Sequence, residues 1–591
     1  VETTLADIAD FVWSYPVVGL CLLSAVFFTL RLGLIQVRAF PHAIALITGR
    51  YDRPDEKGVI SHFQALSAAL SGTIGIGNIG GVAIAIGVGG PGAVLWMWVI
   101  GLFGMATKYV ECALGTHYRA EDPITGEVRG GPMHYITAGL GPRWRPISIW
   151  YAAAIALAGF GFSSMFQSNQ AAAALSEHHD VPPWLTGALL FVLGGITIMG
   201  GIRRIGHVAA RLVPAMCIIY VLGAFGICLA HLGEMPRVLQ TIVVDGFTGE
   251  AAAGGAVGSV LAWGVRRAIF SNEAGLGSAS IAHAAVRTDY PIREGIVASL
   301  GPLIDTIIVS GATASIIVLS GNYGAQMYQP DGDALALVGA AEDGEPSHTL
   351  AEGRDLSFTL PESGEPMRIG FSYRRVRGDA AAEWLDGTGR PIRRVELSLE
   401  PEPGEDTDPL GCEREGAWAR CVLPPLEAGA SAHLLRLSGG PSSDWEVGRV
   451  EPVSKLEGIA LTTVSFERYI PGFGAYFIAF AGFLFAFSTM VTWSYYGETA
   501  TAYLFGPRLV PVYRAAFVSA AFVGAVNQLG VVVSFSDIMV GLLVIPNTIA
   551  ILAMSGRVAG WTREYFAALR AGEIRPSRQG RLHERAPAKG E

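Results

Sequence analysis

Charge is scarce in this 591-residue chain: Asp, Glu, Lys and Arg make up 16%, against 51% apolar residues and a mean hydropathy of +0.41. That balance excludes an ordinary soluble enzyme and predicts a polytopic membrane protein. Cysteine is scarce too. Six in this length exclude a disulfide scaffold, and the absence of any CxxC pair or HExxH run excludes the commonest zinc sites. The net charge is −9, so no nucleic-acid partner is expected. The chain begins at Val1 rather than at a methionine, as it would after removal of a leader. Glycine is abundant instead. There are 75, and they lie inside the apolar runs, which suits close helix packing and broken helices.

Eleven segments approach the roughly 20 apolar residues that a span needs: 11–33, 62–88, 92–116, 147–175, 184–202, 209–232, 254–283, 295–320, 472–503, 511–533 and 538–556. No Asp, Glu, Lys or Arg occurs between Gly58 and Thr107, so the second and third are the clearest, folded into a hairpin by the Gly-Pro turn Gly87 to Gly92. With the N-terminus outside, the inner connectors and tail hold 24 Lys and Arg and the short outer connectors one, Arg237. The asymmetry predicts N-out, C-in insertion in a plasma or inner membrane.

Residues 321–468 carry 26 acids and 14 bases, net −12. This orientation places them outside. Met367, Ile369, Phe371 and Tyr373 alternate with polar residues, as do Val395, Leu397 and Leu399, and Trp418 to Leu423 and Leu434 to Leu437 offer two more strands. A β-sandwich-like extracytoplasmic module is expected. Cys412 and Cys421 are nine positions apart within it, suited to a hairpin clip or left as two thiols.

Two segments interrupt the spans. Ser71-Gly-Thr-Ile-Gly-Ile-Gly-Asn-Ile-Gly-Gly81 holds five glycines in eleven positions. At about 1 kcal/mol each relative to alanine, they predict an unwound stretch at mid-bilayer. Backbone groups freed there are satisfied only inside protein or at a polar cavity, where they become ligands for ions and charged small molecules. The embedded G-x-G-x-x-G (Gly75, Gly77, Gly80) lacks the strand and downstream acid of a nucleotide fingerprint. Gly77 and Gly81 also form a GxxxG packing motif, but packing alone does not call for Thr73 and Asn78. The second interruption, Phe270-Ser-Asn-Glu-Ala-Gly-Leu-Gly-Ser278, adds Glu273 beside Arg266 and Arg267. A structural pair between one of these arginines and Glu273 or Asp305 is expected. Segments two to six and seven to eleven then make two five-helix units, each opening on its broken helix, the layout of an inverted-repeat carrier. A third polar cluster runs from Phe487 to Glu498, where Thr489 and Trp493 share a helix face. Ser488, Thr489 and Thr492 are weighed between a cation site and back-bonding to their own helix. Of Gln167 and Asn169, one is expected to face a cavity and the other a neighbouring helix.

These residues closely resemble the alanine or glycine:cation symporter family, sodium-coupled carriers on the leucine-transporter fold. The matching stretches are Ser71 to Asn78, Gly130 to Met133, Gln167 to Asn169, Phe270 to Ser278 and Trp493 to Glu498. The resemblance covers about 10–322 and 455–560 and departs at 323–454. It implies an all-α core of eleven helices, the first outside a 5+5 inverted repeat. It also implies that Gly75, Gly77, Asn78, Gln167, Ser271, Asn272 and Trp493 line an amino-acid site, to which Thr73 is added. In that frame, N–H groups at the first break receive the carboxylate, oxygens around 271 and 272 the ammonium, and Trp493 caps a small apolar pocket. The Na⁺ ligands are expected to be the carbonyls of Ser71 and Ile74 with the hydroxyls of Ser488 and Thr489.

The expected layout is therefore a transmembrane core in two parts, 1–322 and 455–560, an inserted β-rich module, 323–454, and a basic cytoplasmic tail, 561–591. The expected activity is Na⁺-coupled symport of alanine, glycine or a similar small neutral amino acid, without an enzymatic step and without a cofactor beyond the coupling ion. The expected surroundings are the lipid bilayer and, for the insert, an extracytoplasmic partner. The rival class is a membrane sensor whose outer module binds a ligand or partner.

Overall fold

The computed structural model describes residues 2–576 apart from 54, 122–127, 180, 249–256 and 528; between 325 and 457 it describes strands alone. The chain divides into two units, Val1–Tyr323 with Glu457–Glu591, and Gly324–Leu456.

The first unit is helical. Among the described residues, seven helices are long and apolar enough to cross a membrane: Ala93–His117, Pro142–Ser176, Gly201–Ala230, Pro291–Ser320, Gly474–Phe505, Pro507–Ala525 and Gly530–Arg570. The pair His62–Thr73 and Ile76–Gly89, bent by 64°, makes an eighth if counted as one span. Tyr15–Arg31, Pro183–Ile198 and Val257–Asn272 are shorter, at 17, 16 and 16 residues. Eleven crossings would need these pieces as well. Gly201–Ala230 shows why such helices belong in lipid: Ile218, Leu222, Phe225 and Leu229 are each more than half exposed, on a helix whose opposite side buries Val213, Tyr220 and Ala224.

Helices occur where none was expected, at Glu2–Val12, Met235–Thr248 and Gly458–Tyr469. The last helix, Leu529–Arg570, runs on through 557–570, past the expected end of the final span and into the expected tail. Polarity marked that end, but polarity does not stop a helix. Arg557 holds the extension by donating to the Tyr118 hydroxyl at 2.8 Å and the Gly139 carbonyl at 2.7 Å.

Local signals set the broken helix. Ser61 and Gln64 form a reciprocal capping box at its start, 3.2 and 2.9 Å. At that same end, 57–60 lies against 284–288. Ile60 and Val286 form a parallel bridge, with Val59 N donating to Ala285 O at 2.9 Å and Arg287 N to Ile60 O at 2.8 Å. Gly58, at φ +130°, permits the approach: a Cβ there would fall 2.1 Å from the Val286 carbonyl oxygen. The Arg119 guanidinium donates to four carbonyls across the junction, those of Ala284, Val286, Lys57 and Thr288, at 2.5 to 3.0 Å. Below it, Glu294 joins His62 and His283.

Two helices widen into π-helical turns, Gly159–Met165 and Leu303–Ser310. Such turns change which side chains face inward and are frequent at functional sites.

In the second unit, a six-stranded antiparallel sheet runs Gln326–Tyr328, Asp444–Lys455, Arg368–Arg377, Trp418–Leu423, Glu413–Glu415, with His348–Leu350 also paired to Asp444–Lys455. A four-stranded sheet runs Asp355–Thr359, Leu434–Gly439, Ala380–Leu385, Pro391–Leu397. Cys412 lies outside the described residues and Cys421 on a strand known by its backbone course. The proposed disulfide falls there. The described thiols, Cys21, Cys112, Cys217 and Cys228, are free.

Candidate functional site

The first break begins where His62–Thr73 ends. Ile74 leaves the helix at φ −80°, ψ 89°, Gly75 is extended, and one 3₁₀ turn, Ile76–Asn78, leads into Gly80–Gly89. Several of the freed backbone groups find neutral partners. Gly75 N donates to Asn78 Oδ1 at 2.9 Å and Ile76 N to Gln167 Oε1 at 2.9 Å. The Asn78 carbonyl accepts from Thr313 Oγ1 at 2.8 Å and the Ile79 carbonyl from Thr462 Oγ1 at 3.1 Å. The Ile74 carbonyl lies near two hydroxyls, Thr489 at 3.4 Å and Ser488 at 3.5 Å, the latter also back-bonded to the Phe485 carbonyl of its own helix at 3.0 Å. Ser71 Oγ donates to the Ser488 carbonyl at 2.8 Å. Space is tight at Gly75, where a Cβ would lie 2.4 Å from Thr489 Oγ1 and 2.9 Å from Gln167 Oε1. Gly77 is looser, its nearest neighbour being the Phe270 ring at 3.5 Å.

The second break is held by carboxylates. Val257–Asn272 ends, Glu273 turns at φ +58°, and the chain passes through Gly275 and Gly277, both at positive φ, before Ala279–His283. Glu111 Oε1 accepts from Gly275 N at 2.9 Å, Gly277 N at 3.1 Å and Asn547 Nδ2 at 2.7 Å. Asn547 Nδ2 also donates to the Gly275 carbonyl at 2.7 Å, and Tyr135 donates to Asn547 Oδ1. Glu273 accepts from Trp493 Nε1 at 2.7 Å and from Ser278, with Lys108 Nζ 4.0 Å away.

Asn78 joins the two breaks. Its amide nitrogen donates to Ser271 Oγ at 3.0 Å, to Ser310 Oγ at 3.1 Å and to Asp305. Trp493 stands over the aromatic Phe162, centroids 4.6 Å apart, and Phe162 over Phe270 at 4.5 Å. Residues from five separate helices thus enclose one buried polar region with an aromatic wall.

The sequence-predicted residues fall into two groups. Ser71, Ile74, Gly75, Asn78, Gln167, Ser488 and Thr489 meet at the first break, and Ser271 reaches them through Asn78. Asn272 and Trp493 turn toward the second: Asn272 Nδ2 donates to Thr306 Oγ1 at 3.1 Å and its Oδ1 accepts from Ala274 N at 2.9 Å. Thr73 donates back to the Leu70 carbonyl of its own helix at 3.4 Å. Of the paired amides, Gln167 faces the first break and Asn169 donates to the carbonyls of Gly524 and Asn527 at 3.1 and 2.6 Å. The expected arginine pairs do not form. Arg266 and Arg267 both bridge Asp537, and Arg266 also bridges Asp10 at 2.9 Å, so Glu273 and Asp305 stay free for the breaks. Lys108 and Glu111 were not read as site residues, although ionisable side chains inside apolar runs were the signal for them.

A buried site with neutral oxygens at one helix break and carboxylates at the other suits a cation and a zwitterion carried together. The chain matches the sodium:alanine symporter family over residues 1–341 and 445–579. It is 31% identical over 558 residues to the sodium/alanine symporter AgcS of Methanococcus maripaludis, covering 94% of this chain and 95% of the relative. The chain belongs to the sodium:alanine symporter family. Other similar proteins come from Bacillus subtilis. One is a putative sodium/proton-dependent alanine carrier, 38% identical over 322 residues, 54% of this chain and 65% of the relative. Another is a probable sodium/glutamine symporter, 37% identical over 334 residues, 56% of this chain and 68% of the relative. As a member of that family the chain is a multi-pass membrane protein and a cation-coupled amino-acid symporter, a transporter rather than an enzyme.

Proposed function

We propose that this symporter carries alanine, glycine or a similar small neutral amino acid together with Na⁺, by alternating access. The observation that supports the reading best is the meeting of the Ile74 carbonyl with the Ser488 and Thr489 hydroxyls. These are hard, uncharged oxygens beside the final turn of His62–Thr73, whose last carbonyls have no intrahelical partner. Na⁺ bound there, with the Ser71 carbonyl as a further ligand, would pin the first break to the helix Gly474–Phe505 and fix the shape that receives substrate.

The substrate carboxylate is assigned to Gly75 N and Ile76 N, displacing the Asn78 and Gln167 oxygens that accept from them. The second break does not offer the same reception, because Glu111 already takes its N–H groups at Gly275 and Gly277. The ammonium is assigned to the carbonyl end of Val257–Asn272, where the helix dipole is negative. Phe162, Phe270 and Trp493 bound the side-chain pocket and favour a small substituent.

In the proposed topology the eleven sequence segments all cross the membrane, with two inverted five-helix units after the first, the N-terminus outside, the C-terminus cytoplasmic and residues 323–454 on the outer face. The test is uptake of labelled alanine and glycine by proteoliposomes under an imposed Na⁺ gradient, compared with a pH gradient. Concentrative Na⁺-driven uptake is the expected result. Saturable ligand binding without accumulation would replace the carrier with a sensor.

A further inference from the structure

Glu273 keeps a side chain where the backbone favours none. Among the described residues, Leu34 and Glu273 are the non-glycines at positive φ, and the other left-handed positions of the same break, 275 and 277, are glycines. Glycine at 273 would relieve the conformation, so what holds glutamate there is its carboxylate. That carboxylate is fully buried. Its Oε1 accepts from Trp493 Nε1 at 2.7 Å, and its Oε2 accepts from Ser278 and faces Lys108 Nζ at 4.0 Å. Lys108 is buried too, and its Nζ has no hydrogen-bond partner among the described residues. Trp493 is completely buried and can only donate, through one N–H. Its ring face is set by other groups: it lies 4.6 Å from Phe162, which lies 4.5 Å from Phe270. Phe270 and Glu273 stand three positions apart at the end of Val257–Asn272. The series Phe270, Phe162, Trp493, Glu273 therefore closes on itself and grips the indole by its face and by its edge. Losing the edge contact would leave a buried N–H without an acceptor and free the ring to tilt.

We propose that Glu273 sets the size limit of the substrate through Trp493, with Lys108 as its counter-charge. Glu273 is a positioning residue: it holds the wall, and the wall meets the substrate side chain. A neutral acceptor would also satisfy the indole N–H, but a carboxylate makes the shorter and stronger bond. The Lys108 ammonium offsets the cost of burying that charge. Rejecting one or two extra methylenes in an apolar pocket amounts to roughly tenfold or more, and only a wall that stays in place can do it. The size limit is thus set at the second break, although the groups assigned to the substrate carboxylate belong to the first.

The proposal rests on the reading of Phe162, Phe270 and Trp493 as the walls of the side-chain pocket in a Na⁺-driven carrier, and one experiment separates the two. KM and Vmax for Na⁺-driven uptake of labelled alanine and valine are measured in proteoliposomes holding wild type, Glu273→Gly, Glu273→Gln, Trp493→Phe, Lys108→Met or the double variant Glu273→Gly/Trp493→Phe. Glu273→Gly should raise the valine-to-alanine ratio of Vmax/KM about tenfold, chiefly through a lower KM for valine. Glu273→Gln, which keeps an oxygen acceptor, should shift the ratio less than about threefold. Trp493→Phe, which lacks the N–H, should raise it about tenfold, and the double variant should go no further than either single change. Should Glu273→Gly fail to insert, Lys108→Met decides, with a several-fold rise in the same ratio expected. A wild type without Na⁺-driven uptake, or an unchanged ratio in Trp493→Phe, defeats the underlying reading. A shifted ratio in Trp493→Phe with an unchanged one in Glu273→Gly, or in Lys108→Met where that decides, defeats only this proposal. Equal losses of Vmax for both substrates in Glu273→Gly would make Glu273 a brace of the fold alone, and shifts that multiply in the double variant would show that the two residues act independently; either result overturns it.

Discussion

The two breaks solve the same problem with different chemistry. At Ile74–Ile79, freed backbone groups meet amides and hydroxyls, namely Gln167, Asn78, Thr313, Thr462, Ser488 and Thr489. At Glu273–Ser278 they meet Glu111, while Glu273 itself fastens Trp493 and Ser278. A neutral acceptor can be exchanged for an ion or a ligand at modest cost, whereas a buried carboxylate holding two N–H groups cannot. The first break is thus the adaptable partner and the second the fixed one.

The sharpest challenge to that division is Glu111→Ala. It strips the acceptor from Gly275 N, Gly277 N and Asn547, and should destabilise the fold by about 3–5 kcal/mol. Thermal unfolding in detergent reads this directly, and a wild-type melting curve would show that the second break is not held by its carboxylate. Next comes Asn78→Ala, which leaves Gly75 N and the Ser271–Asp305 group without their common partner, at roughly 1–3 kcal/mol for each unmet group. Initial uptake should fall about 100-fold with the protein still monodisperse. Asn272→Ala, whose amide serves Thr306 and Ala274, should lose closer to tenfold, and equal losses would erase the difference between the breaks.

Thr489→Ala should raise half-saturating Na⁺ roughly fivefold and leave the order of preferred amino acids unchanged, the loss of one ~1 kcal/mol contact. A changed substrate order with an unchanged Na⁺ curve would move Thr489 from ion to substrate. Trp493→Ala should do the reverse, improving valine relative to alanine by about tenfold as the aromatic wall recedes. The smallest effect is expected from replacing 330–452 by a short Gly/Ser linker. Screening confines the field of its acidic surface to about 8 Å at physiological salt, so Na⁺-driven uptake should change less than about twofold. Abolished uptake in a correctly inserted deletion would tie those residues to the transport cycle.

Composition made the first break legible, because five glycines in eleven positions hold a helix poorly, and the helix stops at Thr73. The partners of that break were only partly legible. Gln167 and Thr489 lie 91 and 415 positions from the backbone atoms they meet, and nothing local encodes such pairings. Charge was the stronger clue and was misassigned: Arg266 and Arg267 sit close in sequence to Glu273 yet pair with Asp537, some 270 positions on. Proximity along the chain favoured the wrong partner. The π-helical turn that carries Asp305 left no sequence signal at all, since its residues Leu303 to Ser310 read as an ordinary apolar helix.

The junction at the start of the broken helix has a kinetic consequence. Residues 57–60 and 284–288 belong to the two segments that feed the two breaks, and one guanidinium, Arg119, staples them through four carbonyls. For that end of the protein to part, these bonds must rupture together, since none can lengthen far without dragging the others. Hydrogen bonds to a charged group contribute about 1.5–3 kcal/mol each, so parting at that end would be rare and steeply temperature-dependent. In the alternating-access cycle proposed above, opening at this end would be slow for that reason.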